Sequence, residues 1–340
     1  MRTATPRTAR VINDRLALDL LLERGPLTAP QLKTLTGLSR PTVSDLIERL
    51  QAGGLVEVHG ETGGDRRGPN AKLYRIVAGR AHVAGVGVRR DGITATVADL
   101  AGVTVGARTR EADGDLAGLV AATVAEAADG RTVDAVAVGL PGVVDPRTGD
   151  LREARMVPGW RPGLLGGLRD LLGAPVLLEN EVNLAALAEH REGAAAGCDD
   201  FIMLWLDDGV GSAVVLGGRP RRGASGGAGE IGFLGSPIGA ICALLTREEV
   251  ARIDLGELAR RVVQVAFPGV AVVDPGLVVL AGDTGREGGQ ELAALVADGL
   301  AALAPVPTEV RVTAVEGDPV VKGAVETALS MARDTVFGTP

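Results

Sequence analysis

Aromatic side chains are scarce in this sequence: two Trp, one Tyr and four Phe, 2% of 340 residues, against a hydrophobic share of 46%. A core built on large rings is therefore excluded, and Ala, Val, Leu and Gly must do the packing. Lysine is nearly missing too. Only Lys33, Lys72 and Lys322 stand among the 35 basic residues, a bias toward Arg that fits a GC-rich coding sequence and carries no function by itself. Cysteine is limited to Cys198 and Cys242, far apart in the chain, which excludes a disulfide framework and suits a reducing, cytoplasmic setting. No uncharged apolar run reaches the roughly 20 residues that a bilayer demands. Arg2, Arg7 and Arg10 have no apolar stretch behind them, so the N-terminus does not read as a signal peptide.

The length suggests two or three domains. The net charge of -8 is unevenly spread: residues 1–75 carry 12 basic against 8 acidic residues, and the remainder 23 against 35. A basic head on an acidic body is the asymmetry of a nucleic-acid-binding module attached to something else.

Within the head, Ile12, Leu16 and Leu20 recur at helical spacing over 9–23, and Gly25-Pro26 stops that helix. Thr28 with Gln31 three residues on forms a capping box for a second helix, which Gly37 ends. Ser39 caps a third, with Pro41 in its first turn and Val43, Leu46, Ile47 and Leu50 on one apolar face. Its other face offers Arg40, Thr42, Ser44, Asp45 and Arg49. Small hydroxyls and Arg near a helix N-terminus suit a major-groove reader, since they reach base edges and phosphates without blocking close approach. Two short strands, 55–58 and 71–76, then flank a polar loop, so that Arg66 and Arg67 at the tip and Lys72 at its base form a basic wing for a minor groove or phosphates. The expectation is an α+β winged helix-turn-helix over 1–78 that binds double-stranded DNA through these residues and Ser39. A three-helix protein-interaction module with a solvated charged face is the competing reading.

From about residue 79 the texture is α/β. Three consecutive strands (83–88, 93–100, 103–109), a helix (116–128) and buried strands at 133–138 and 176–178 suggest one lobe over 79–196. Strands at 201–206, 211–216, 277–281 and 309–313, with helices at 286–303 and 319–334, suggest a second over 197–340, with a cleft between the two.

Three motifs are specific when taken together: Gly139-Leu-Pro-Gly-Val-Val-Asp145, Glu179-Asn-Glu-Val-Asn183 running on to Glu189, and the Gly-rich stretch 209–232 that ends Ala-Gly-Glu230-Ile-Gly232. Behind a winged helix, this body resembles the ROK family of repressors, open reading frames and sugar kinases. The resemblance covers nearly the whole chain. It implies a two-lobed actin/hexokinase-like, ribonuclease-H-like fold, with Asn180, Glu181 and Glu230 at sugar-contacting positions.

The departures bear on chemistry. Kinases of the family open on Asp-x-Gly-Gly-Thr, which wraps phosphate and organises magnesium; here Gly87 replaces the Asp, and Arg89 and Arg90 replace the phosphate glycines. The second phosphate loop reads Asp207-Asp208-Gly209, whose carboxylates repel a triphosphate. Glu181 stands where the family has its Asp base; a Glu can still accept a hydroxyl proton, but its carboxylate reaches one methylene further, and it otherwise reads as a sugar contact or a helix N-terminal carboxylate favoured by the dipole. Asn180 and Glu230 read either as pocket residues or as turn and cap residues inherited with the fold. Met156 replaces an expected Asn, and Phe233 replaces the His of the family's structural zinc, for which the chain also lacks the three close cysteines. The expected function is therefore a DNA-binding transcriptional regulator, a repressor, working as a homodimer or tetramer. It would use no catalytic residue, metal or cofactor, and its cleft would take a sugar-like or small polar effector. A ROK sugar kinase is the alternative.

Overall fold

The computed structural model describes residues 6–61, 71–90, 92–153, 157–233, 235–236, 239–303 and 307–338. The head begins with helix α1 (Pro6–Arg24), followed by strand β1 (Leu27–Thr28), helices α2 (Ala29–Thr36) and α3 (Arg40–Ala52), and the hairpin strands β2 (Val56–Glu61) and β3 (Lys72–Ile76). The capping box forms: Thr28 N donates to Gln31 Oε1 at 2.8 Å, and Gln31 N to Thr28 Oγ1 at 3.4 Å. Gly37, with φ 71°, closes α2 in the left-handed conformation that its missing Cβ makes cheap. The three strands pair in the order β1-β3-β2, the arrangement of a winged helix. The turn between β2 and β3, with Arg66 and Arg67, lies outside the described residues.

The body opens with β4 (His82–Val88), β5 (Gly92–Asp99), β6 (Thr104–Glu111), α4 (Leu116–Ala128) and β7 (Ala135–Leu140). A small hairpin, β8 (Val143–Val144) and β9 (Leu151–Glu153), precedes α5 (Leu164–Leu172), β10 (Val176–Asn180) and α6 (Glu181–Glu192). The second half contains β11 (Phe201–Asp207), β12 (Gly209–Leu216), β13 (Arg219–Pro220) and a two-residue pair, β14 (Gly235–Ser236) with β15 (Gly239–Ala240). There follow α7 (Ile241–Leu244), α8 (Arg247–Val250), α9 (Leu255–Val273), β16 (Leu277–Ala281), α10 (Gly282–Leu303), β17 (Glu309–Val312) and α11 (Pro319–Phe337).

Two five-stranded sheets repeat one topology, β6-β5-β4-β7-β10 and β13-β12-β11-β16-β17. In each, three antiparallel strands lead into two parallel ones. This duplicated order is the ribonuclease-H-like pattern. Strand alternation divides the core: Ala84, Val86 and Val88 pack with α4 and α5, while Val83, Ala135 and Ala137 face the opposite way. That second face meets α6 and α11, and beyond them Phe201, Met203 and Val279 of the other sheet. The outer face of the second sheet is covered by α9 and α10.

Although last in the chain, α11 crosses back to lie on β4 and β7 of the first sheet. Two glycines allow the approach: a Cβ on Gly85 would stand 2.4 Å from Val325 N, and one on Gly323 would stand 1.8 Å from Leu184 O. The head seats on the end of this helix, where Phe337 joins Leu100 and the head's buried Leu18, Leu21 and Leu46 in one core. Arg15 of α1 bonds Asp334 at 2.8 Å and lies over the Phe337 ring.

Candidate functional site

On α3 the apolar face is fully used, with Val43, Leu46, Ile47 and Leu50 at most 4% exposed. The opposite face presents Arg40, Ser44 and Asp45 to solvent, and none of the three has a hydrogen-bond or ion-pair partner among the described residues. Lys72 is exposed at the start of β3, across from Glu61 at the base of the wing. The other candidates are committed to structure. Ser39 Oγ caps Thr42 N at 3.4 Å and bonds the Thr42 hydroxyl at 2.8 Å. Arg49 donates to Asp14 of α1 at 2.6 Å, bracing the helix pair.

In the cleft, Asn180 is a cap. Its Oδ1 accepts from Val182 N at 2.8 Å and Asn183 N at 3.3 Å, and its Nδ2 donates to Gly142 O at 3.1 Å. Glu181 follows in the first turn of α6. Part of its surface stays open, but protein surrounds the carboxylate, and this desolvation pushes its pKa up to about 7; Arg89 pulls it down, while Asp207 and Asp318 push it further up. Glu230 is half-buried and is also raised by burial. Neither carboxylate has a hydrogen-bond or ion-pair partner among the described residues, so both are left for hydroxyl groups or water. The neighbourhoods of the two adjoin: a Cβ on Gly211 would stand 2.9 Å from Val182 Cγ2, and the Ser212 hydroxyl donates to Gly229 O at 2.8 Å.

The stretches that correspond to the two phosphate loops of the family's kinases carry the chain's own ion pairs. A Cβ on Gly87 would stand 3.9 Å from Asp318 Oδ2, the N-cap carboxylate of α11, and Arg89 reaches that same oxygen at 3.6 Å. In the second loop Arg247 of α8 donates to Asp207 at 2.6 Å and to Asp283, and its backbone N–H lies 3.4 Å from Asp208 Oδ1. Sequence reasoning missed Arg247 and Asp318. The Asp318-Pro319 step signals a helix start, but nothing in the sequence places Arg247 beside carboxylates 40 residues away.

A strap joins the lobes. After β13, Arg222 binds Glu179 of β10 at 2.5 Å, and the 5% exposed Glu179 also accepts from Asn183 Nδ2 at 3.0 Å and Asn180 N at 2.9 Å. Gly226 then presses on the first lobe so closely that a Cβ would stand 2.1 Å from Val144 O. The strap ends at Glu230.

Cys242 Sγ would stand 2.7 Å from a Cβ on Gly209, while Cys198 lies beside Arg311. Among the described residues no group of three or more His, Cys, Asp or Glu could hold a metal. Met156 and the side chain of Phe233 lie outside the described residues. No described helix is long and apolar enough to cross a membrane.

Capped head, duplicated sheets and cleft motifs together define a class, and comparison with known proteins agrees. Residues 83–243 match the ROK family model and residues 12–68 the MarR family model. Residues 83–243 thus carry a ROK family domain, and a MarR-type winged helix stands in front of it at residues 12–68. It is similar to the xylose repressor of Bacillus subtilis, 26% identical over 244 residues, or 69% of this chain and 63% of that protein. It thus spans a little under two thirds of the length of the two xylose repressors it matches. It also resembles a glucokinase of Halalkalibacterium halodurans, 38% identical over 77 residues, 22% of this chain and 23% of the other. Among solved structures, a ROK family transcriptional regulator homologous to the E. coli MLC protein shares the fold across 97% of this chain and 100% of its own, with TM-score 0.75 and 17% identity. The ROK hexokinase of Thermus thermophilus covers 74% of this chain and 99% of its own, with TM-score 0.63 and 26% identity.

Proposed function

We propose that this chain is a cytoplasmic, DNA-binding transcriptional repressor whose sugar-kinase-like body senses a ligand and performs no phosphoryl transfer. Residues 1–78 form the DNA-binding unit and 79–340 the sensing unit, with lobes of about 79–196 and 197–340. The observation that carries this reading is the outward face of α3, where Arg40, Ser44 and Asp45 stand exposed and unpartnered on a fully packed helix. Arg66, Arg67 and Lys72 of the wing add contacts to phosphates or a minor groove. Ser39, Thr42 and Arg49 act first by shaping that face. A homodimer on a two-fold-related site places the two recognition helices about one turn apart.

Glu181 and Glu230 are the groups that suit an effector with hydroxyls, with Asn180 capping α6 beside Glu181. The similarity to repressors supports the regulatory reading, and the filled phosphate loops support the absence of kinase chemistry. Selection of genomic fragments with the purified protein tests it. Specific sites that weaken on Arg40→Ala are expected; binding no tighter than bulk competitor DNA at moderate salt overturns it.

A second reading, a ROK sugar kinase, draws on Glu181. A carboxyl with a pKa near 7 is tuned as a general base should be. Against it, Arg89 with Asp318 and Arg247 with Asp207 and Asp283 occupy the ground where nucleotide phosphates would sit. ATP consumption with a hexose panel, above a Glu181→Ala control, decides between the two.

A further inference from the structure

A cavity of about 220 Å³ lies at the seam between head and body, lined by Asp19, Leu22 and Glu23 of α1, Ala101 of the β5–β6 turn, Arg191 of α6 and Arg333 of α11. Its charges are unevenly satisfied. Arg15 neutralises Asp19 at 3.2 Å and Asp334 at 2.8 Å. Arg191 has no hydrogen-bond or ion-pair partner among the described residues. Among the described residues, Arg333 donates only to a backbone carbonyl, Leu100 O, at 3.0 and 3.3 Å. Burial disfavours the Arg333 charge, Arg191 and Arg15 repel it, and Glu326 and Asp19 favour it without reaching ion-pair distance. Two guanidinium groups of the body thus border one cavity with no carboxylate bound to either. The facing wall, from the head, offers Asp19 and an unpartnered Glu23.

The geometry points to a binding site at this seam for a small oxyanion bearing hydroxyl groups, a sugar phosphate being the fitting class. Guanidinium forks suit the planar pairing of donors with phosphate or carboxylate oxygens. Carboxylates on the opposite wall accept from hydroxyls, and the cavity has room for a molecule of hexose phosphate size. Such a ligand bridges α1 to α6 and α11, so it fixes the head on the body and selects one head orientation. The site is separate from the interlobe cleft. Binding here does not depend on the regulatory reading; only its consequence for DNA does.

The test uses the full chain in phosphate-free, low-salt buffer, with inorganic phosphate, glucose 6-phosphate and glucose as probes in calorimetry and thermal melts. Glucose 6-phosphate should raise Tm saturably by about 2 °C or more, with inorganic phosphate weaker and any effect of glucose untouched by Arg191→Gln. Arg191→Gln, at an exposed and unpartnered position, should keep the ligand-free Tm and lower affinity at least about tenfold. Glu230→Gln, in the cleft, should leave this binding unchanged. The proposal is overturned if neither anion binds, if Arg191→Gln binds glucose 6-phosphate as the parent does, or if Glu230→Gln abolishes that binding. Binding at the seam by a protein that selects no DNA would sink the repressor reading and leave the site standing.

Discussion

At Glu181, burial and charge work on one proton. The folded chain holds that proton up to about pH 7, whereas the unfolded chain releases it in the ordinary glutamate range. Between those values the folded state binds more protons, so this residue's contribution to stability falls as pH rises through the window. Glu181→Gln should match the parent near pH 5 and exceed it at pH 8 by about 1 to 2 kcal/mol, a figure discounted because part of the residue stays open to solvent. Urea unfolding of both proteins at the two pH values checks this, and an equal difference at both would contradict it. The Glu179–Arg222 pair makes the reverse case, since charge is matched there. Arg222→Ala leaves a buried carboxylate with only Asn183 and a backbone N–H. A loss of about 2 to 3 kcal/mol is expected in denaturant melts, below the full cost of breaking a buried pair because Arg222 is half-exposed.

Helix α3 separates two kinds of residue that the sequence listed side by side. Ser39→Ala removes the N-cap and should cost about 1 kcal/mol of stability, seen as a lower Tm, along with any loss of DNA binding. Ser44→Ala touches neither cap nor core and should leave Tm unchanged, so any effect in a gel-shift assay belongs to the interface. If Ser39→Ala and Ser44→Ala behave alike in both measurements, the division is wrong. Elsewhere, α9 escaped the sequence reading. Its Pro268-Gly269 pair breaks helices by propensity, yet the helix persists because Leu258, Val262, Val263 and Val270 are buried on the second sheet.

Across the whole molecule, the strap from Arg222 to Glu230 and the seat of α1 on α11 tie the lobes to each other and to the head. Gly226→Ala puts a Cβ against Val144 O at a φ of 88°, so the strap must lift from the first lobe. Small-angle scattering should show a larger radius of gyration, and hydrogen exchange faster opening in 221–230; an unchanged profile in both would argue that the strap does not hold the cleft. A lifted strap also moves Glu230, so on the proposed function it would weaken effector binding and lobe closure together.

The sequence by itself determined the capped helices, the strand runs and the family, because these rest on local spacing: Thr28 to Gln31, the apolar face of α3, and the Gly139–Asp145 and Gly-rich 209–232 motifs. It also marked the cleft carboxylates Glu181 and Glu230. It left Asn180 open between ligand and cap, and the structure adds its cap bonds to Val182 and Asn183 and its bond to Gly142. Only the tertiary structure placed α11 on the first sheet, Arg247 between Asp207 and Asp283, and Arg191 beside Arg333. Those pairings span tens to hundreds of residues, and the sheet order that brings such groups together is fixed by packing, which no local pattern encodes.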